Sequence, residues 1–356
     1  MAASYPTSAK AFTTKNNGPG NTIDASHVND LQAEVTAVEQ DLIAGLPAVR
    51  GGTGNTTAGT LGQVLTSTGT AYTPQDPVAA RFACQGRLSL TTGVPITSGD
   101  VTAATTLYWA LYQGNQIGLY TGTAWVAPTV AELSIPVPAT TNQMYDVFVD
   151  YNAGTPQLSL TAWTNDTTRA TALILQDGIL VLSGSLEKRY VGSFRTTGVS
   201  GQTEDSALKH YVWNYYHRAP RKLRVTDATN SWVYSTATIR QANAAAANQV
   251  EVVVGVAEVR VDLLAISATS SAASVGVKAT GIGQNSTTAF AADQIGGASG
   301  ATTVILQQSA RLVTMPAIGF SFFAWLESGS AGTDTWYGDN GDAALMQSGL
   351  SGVIDG

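Results

Sequence analysis

The sequence predicts a mainly β protein: a short coiled-coil helix and an extended shaft near the N-terminus, followed by two antiparallel β-sandwich or jelly-roll-like domains. Three observations carry that expectation. From about residue 81 onward apolar and polar residues alternate, and turn residues recur every 8 to 12 positions, the pattern of short strands in a sandwich. One stretch, residues 21–45, instead repeats its apolar residues at spacings of 3 and 4, as a coiled-coil seam does. Between them lies a long Gly/Thr-rich stretch with little to bury.

Residues 1–20 contain Pro6, Pro19 and small polar residues, with Tyr5 and Phe12 as the large apolar groups. Such a segment cannot bury enough surface to order itself and reads as an arm that docks on something else. In "NTIDASHVNDLQAEVTAVEQDLIAGLP" the stripe is Val28, Leu31, Val35, Val38 and Leu42. Asp24 or Ser26 serves as the candidate N-cap, and Gly45 with Pro47 ends the helix. A helix this short is marginal alone in water, so its stripe needs partners. It carries acids and no Lys or Arg, and identical copies would repel one another.

The segment 46–80, with "GGTGNTTAGTLGQVLTSTGTAYTPQDP" at its centre, is no flexible linker, because Thr is β-branched and favours extended backbone. It reads as a shaft. Residues 81–200 form the first β domain. "TTLYWALYQGNQIGLYTGTAWV" turns at Gly114-Asn115 and Thr121-Gly122, "MYDVFVDYNAGTPQLSLTAW" turns at Asn152 to Gly154, and "ATALILQDGILVLSG" turns at Asp177-Gly178. Residues 201–356 form the C-terminal β domain. Within it "TEDSALKHYVWNYYHRAP" is a candidate helix ended by Pro220, its aromatic half equally readable as strand. Four long alternating segments follow.

The chain has 356 residues, a charged fraction of 12% and a formal net charge of −7. An acidic balance argues against nucleic acid, whose phosphates need a cationic face. No apolar run approaches the roughly 18 residues of a membrane span, so no membrane insertion is expected, nor any signal peptide. Cys84 is the single cysteine, which excludes a disulfide within the chain and a cysteine metal cage. Eight of the 18 basic residues fall between Glu187 and Arg224. This reads as a domain junction or a patch meeting an acidic partner, with an acidic polysaccharide or lipid headgroup as the sharper alternative.

Candidates for chemistry are few. His210 and His217 flank "YVWNYY" and read as the polar edge of an aromatic cluster, since no third metal ligand follows. Glu204 with Asp205 looks like a helix first turn. Asp146 and Asp150 share a strand face and are a candidate carboxylate pair. Asp334, Asp339, Asn340 and Asp342 offer oxygens for calcium, although Gly/Asn/Asp turns explain them without an ion. No phosphate-binding glycine motif occurs. The expectation is therefore no catalytic residue, no cofactor and no metal. Trp232, Tyr234, Trp336 and Tyr337 are candidate glycan-contact aromatics, with core packing as the alternative for each.

"FTTKNNGPGNTIDASHVNDLQAEVTAVEQDLI" resembles N-terminal segments of tailed-bacteriophage fibre and spike proteins, and "VRGGTGNTTAGTLGQVLTSTGTAYTPQDP" resembles their GGTG shaft element. "TTGVPITSGDVTAATTLYWALYQGNQIGLYTGTAWV" and "YVGSFRTTGVSGQTEDSALKHYVWNYYHR" are similar to a module recurring in such proteins. The resemblance covers about residues 10–220. It implies a homotrimer, assembled in the host cytoplasm and located in the virion. Residues 1–20 would anchor it to a tail, portal-adaptor or capsid protein, and the β domains would project toward host-surface glycan. A head fibre or capsid decoration protein fits the same residues; a glycan depolymerase tailspike is the enzymatic alternative, and it lacks the expected parallel β-helix repeat.

Overall fold

The computed structural model describes residues 25–43, 63–67, 72–75, 81–152, 154–256, 259–272, 276–300 and 303–356. The chain divides into two units, Met1–Val78 and Ala79–Gly356. The protein is mainly β, with several sheets and one short helix.

In the first unit the helix spans Ala25–Ile43, inside the 21–45 expected for it. Ser26 falls within the helix rather than at its cap, and Asp24 lies outside the described residues, as does the arm 1–20. Of the shaft expected over 46–80, residues 63–67 and 72–75 are described and the rest lies outside the described residues. Val64–Ser67 and Tyr72–Gln75 pair antiparallel, from Val64 opposite Gln75 to Ser67 opposite Tyr72. Two strand-favouring segments this close in sequence satisfy their backbone groups with each other, so no second chain is needed for that pairing.

Turn chemistry sets the strand pattern of the second unit. Asp177 and Gly178 both take positive φ, 51° and 86°, the backbone of a two-residue hairpin loop whose twist matches the flanking strands. Leu173–Gln176 and Ile179–Leu182 pair across it, with Gln176 opposite Ile179. Gly154, at φ 89°, does the same work between Met144–Asn152 and Thr155–Ala162.

Three larger sheets result. The first runs Thr155–Ala162, Met144–Asn152, Ser185–Arg195, Ile179–Leu182, Leu173–Gln176, with Val212–Asn214 also paired to Ser185–Arg195. The second centres on Gly319–Ser328, flanked by Lys278–Gln284 and Gln249–Val254, and continues through Lys209–His210 and Thr203–Asp205 to Val101–Ala104. The third centres on Val261–Ser271, flanked by Gly349–Asp355 and Leu306–Thr314.

The core explains why these sheets stay together. Val250, Val252, Ile282, Phe323 and Trp325 of the second sheet share one buried cluster with Leu263, Ala265, Leu312, Leu350 and Ile354 of the third. Met144 and Phe148 of the first sheet belong to that same cluster, while Tyr145, Val147 and Val149, one residue out of phase, face a second cluster with Leu88, Trp109, Ile117 and Phe194. Met144–Asn152 thus buries side chains on both faces because both are covered, with Asp146 and Asp150 interrupting the apolar residues of one of them.

The boundary expected at residue 200 does not separate two cores. Thr203–Asp205 pairs with Val101–Ala104, Thr203 Oγ1 donates to Arg195 O at 2.7 Å, and the larger cluster draws residues from both sides of 200. The candidate helix over 203–220 is likewise corrected. That stretch holds the strands Thr203–Asp205, Lys209–His210 and Val212–Asn214. Tyr211 and Trp213 enter one cluster and Val212 packs against the other, so period-2 burial overrides the local helix signal.

Candidate functional site

The four candidate glycan-contact aromatics are brought together by strand pairing. Ser231–Val233 pairs with Asp334–Tyr337 and sets Trp232 opposite Trp336. Their faces, however, are used inside the protein. Trp336 is fully buried, and its Nε1 donates to Tyr234 O at 3.1 Å, which rules it out as a ligand contact. Trp232 Nε1 donates to Glu327 Oε2 at 2.8 Å, and its ring stands edge-on to Trp325 with centroids 6.1 Å apart. Tyr234 carries the Arg240 guanidinium 3.5 Å from its ring centroid and donates its hydroxyl to Thr238 O at 2.6 Å. Tyr337 shares a hydrogen bond of 2.9 Å with Ser270 Oγ. Trp232, Tyr234 and Tyr337 are half-buried, with their polar tips bonded within the protein.

Beneath them Glu327 is wholly buried and accepts from Trp232, from Arg240 Nε at 2.8 Å and from the Asn243 amide at 3.2 Å. Burial outweighs those three donors and pushes its carboxyl up to about 7. Asp334 is equally buried but accepts from Ser271 Oγ, Ser330 Oγ and the Ser330 amide. Although burial works to raise it, these donors together with nearby Lys278 hold it below the usual carboxylate range. Lys278 Nζ donates to Ser271 Oγ at 2.8 Å and closes the network. Asp339 and Asp342 accept from the amides of Gly341 and Ala344, both at 2.9 Å; these are Asx turns. Among the described residues no group of three or more His, Cys, Asp or Glu side chains is placed to hold a metal.

The two histidines serve separate places. His210 Nδ1 lies 2.5 Å from Asp205 Oδ1, and Asp205 Oδ2 accepts from Arg221 Nη2 at 2.9 Å. Asp205 is therefore a partner in a buried ion cluster rather than a residue of a helix first turn. His210 Nε2 is buried and has no hydrogen-bond partner in the protein, so no nucleophile is bonded to it and the Asp-His pair lacks the third member of a triad. His217 Nε2 meets Cys84 O at 2.5 Å. Of the eight cations between Glu187 and Arg224, Arg189 and Arg195 are buried, while Arg218 and Lys222 are exposed. Arg189 Nη1 donates to the carbonyls of Arg81, Ala83 and Gly118 at 2.7 to 2.8 Å, and Arg195 forks onto Asp166 at 3.0 and 3.2 Å. These two arginines pin chain segments together.

Asp146 and Asp150 have opposite surroundings. Asp146 accepts from Arg169 Nε at 2.7 Å, Arg169 Nη2 at 3.1 Å and Ser193 Oγ at 2.8 Å. Asp150 is just as buried, yet its Oδ1 accepts no hydrogen bond from the protein. It lines an open groove of about 470 Å³ with Thr121, Tyr151, Gln157, Glu187 and Lys188 among its walls. Sequence reasoning paired Asp150 with Asp146 and missed the groove, because Gln157 and Lys188 reach it only through strand register.

The trimerisation candidates sit on the Ala25–Ile43 helix. Val28, Leu31 and Val35 are 54%, 56% and 49% exposed, Val38 is half-buried, and the Leu42 side chain lies outside the described residues. On the nearby hairpin Val64, Leu65 and Tyr72 are exposed too.

No family model matches the chain, and no curated protein matches it. Among solved structures, a Bacillus thuringiensis Cry1Da tryptic core variant aligns at 9% identity over 79% of this chain, with a TM-score of 0.16. The chain spans 54% of that structure's length. A similarity at that score carries no argument.

Proposed function

We propose that this protein is a structural and adhesive component of a tailed-phage virion, a homotrimeric fibre or spike anchored through residues 1–20 and projecting its β unit toward the host surface. The stripe on the Ala25–Ile43 helix carries the proposal. Three of its residues, spaced 3 and 4 apart, stand about half exposed on the single chain, and a heptad stripe of that kind is the seam of a coiled coil. Two copies of the same helix, packed around a three-fold axis, would cover it. Each Val or Leu fully buried this way contributes about 1.5 to 3 kcal/mol per chain. The helix dipole does nothing to relieve repulsion among acidic copies, so Val64, Leu65 and Tyr72 of the hairpin would add to the same axis. The jelly-roll-like description of the β unit belongs to this proposal as well.

The proposal assigns no catalytic residue. Its test is the mass of the full chain by light scattering at micromolar concentration and neutral pH. Three times the single-chain mass is expected, falling to the single-chain mass in the double variant Leu31→Asp with Val35→Asp. A folded wild-type chain of single mass would end the proposal.

A further inference from the structure

We propose that the groove beside Asp150 is a saccharide-binding site that takes a neutral or amino sugar and rejects an acidic one. The first argument is the unmet acceptor. Asp150 is 6% exposed, and its Oδ1 has no donor in the protein. A carboxylate oxygen removed from water without a hydrogen bond is costly, and buried polar atoms left so are uncommon enough to mark a place where a ligand supplies the donor. Asp146, four residues earlier on the same strand, shows the ordinary solution: three donors from Arg169 and Ser193.

The second argument is the set of groups around it. Strand register puts Gln157 opposite Asp150 on one side and Lys188 opposite it on the other, and all three line the groove with Tyr151, Glu187 and Thr121. Asp150, Gln157 and Lys188 share one face of the sheet, so carboxylate, amide and ammonium stand side by side there and offer both donors and acceptors at short intervals. A ring carrying several adjacent hydroxyls uses both kinds at once. A metal ion is a poorer occupant, since no group of three or more metal-binding side chains stands among the described residues.

Charge then selects among sugars. Asp150 and Glu187 are opposed by Lys188 alone within the groove, so a uronic or sialic acid brings a third carboxylate against a surplus of negative charge. An amino sugar brings the opposite sign. The inference deepens the adhesive half of the proposed function and is independent of its trimeric half.

Saturation-transfer NMR on the full chain tests it, with glucose, galactose and mannose, glucosamine and galactosamine, and glucuronic and galacturonic acid as probes. At least one neutral or amino sugar is expected to receive saturation, with its uronic counterpart binding about tenfold or more weakly, the effect of one charged contact. Asp150→Ala is expected to weaken the bound sugar by about tenfold, and Gln157→Ala, at an exposed position, by a few-fold. Should Asp150→Ala fail to fold, Gln157→Ala and the charge series still decide. Absence of transfer from every neutral and amino probe, equal binding of uronic acids, or binding unchanged in both variants would overturn the proposal. Light scattering on the same samples reports the trimer separately, so a monomer that binds sugar and a trimer that does not are distinct results.

Discussion

The Ala25–Ile43 helix and the Met144–Asn152 strand are both short and both rich in large apolar residues, yet they treat them in opposite ways. The helix leaves Val28, Leu31 and Val35 about half exposed. The strand hides Tyr145, Val147 and Val149 against one cluster and Met144 and Phe148 against another. In the β unit the chain supplies its own cover from both directions. Around the helix, the described residues supply little of it. Apolar surface at coiled-coil spacing that the described residues leave uncovered is what the proposed trimer would bury, whereas the same content in the strand already stabilises one chain.

The largest test of that contrast is in the β unit. Trp325 is fully buried, with Nε1 donating to Ser267 Oγ at 3.0 Å. Trp325→Ala should cost about 3 to 5 kcal/mol in denaturant unfolding while the oligomeric mass stays unchanged. A loss below about 1 kcal/mol, the size of an ordinary substitution, would show that the shared cluster is not what stabilises the unit. Gly255→Ala should follow at about 1 to 3 kcal/mol, an overpacking cost. A Cβ there would fall 2.2 Å from the Trp213 ring and 2.3 Å from the Tyr190 hydroxyl, at a point where two sheets meet. An unchanged midpoint would mean the rings can give way.

A smaller effect is expected from pH. Glu327 keeps its proton in the folded chain up to about 7, against an ordinary value of 4.5. Between those two values the folded state holds a proton that the unfolded state has released, so stability falls as pH rises through the window. Glu327→Gln should remove this component; a Gln variant with the wild-type slope would assign it elsewhere. Asp334 works the other way, its lowered carboxyl adding stability that is lost as pH falls through its folded value. The smallest effect on stability belongs to the helix. The paired Leu31→Asp and Val35→Asp changes should move the unfolding midpoint of the β unit within the range of ordinary surface substitutions, about 0.5 kcal/mol, while abolishing the trimer proposed above.

Much of the strand order was legible because local chemistry and burial agree. Asp177-Gly178 tolerates the positive φ that a two-residue hairpin needs, and Pro220–Thr226, Gln249–Val254 and Leu306–Thr314 alternate as half-buried strands do. Lys278–Gln284 was not legible. At its Gly281 and Gly283 a Cβ would strike the Phe290 ring and the Ser286 carbonyl, so close packing selects glycine inside a strand. Of the four aromatic candidates Trp336 alone is fully buried, which its polar sequence neighbours do not reveal.

The sequence by itself determined the local facts: the 3 and 4 spacing of the helix stripe, the hairpin loops and the period-2 alternation. Each depends on residues within a few positions of one another, where backbone sterics and side-chain chemistry act directly. The tertiary structure alone decided that residues on either side of 200 share a core, that 203–220 holds short strands rather than a helix, and that Asp150 is buried with its Oδ1 lacking a donor beside Gln157 and Lys188. These depend on register and on cover from distant segments. No short window of sequence contains the atoms that provide either.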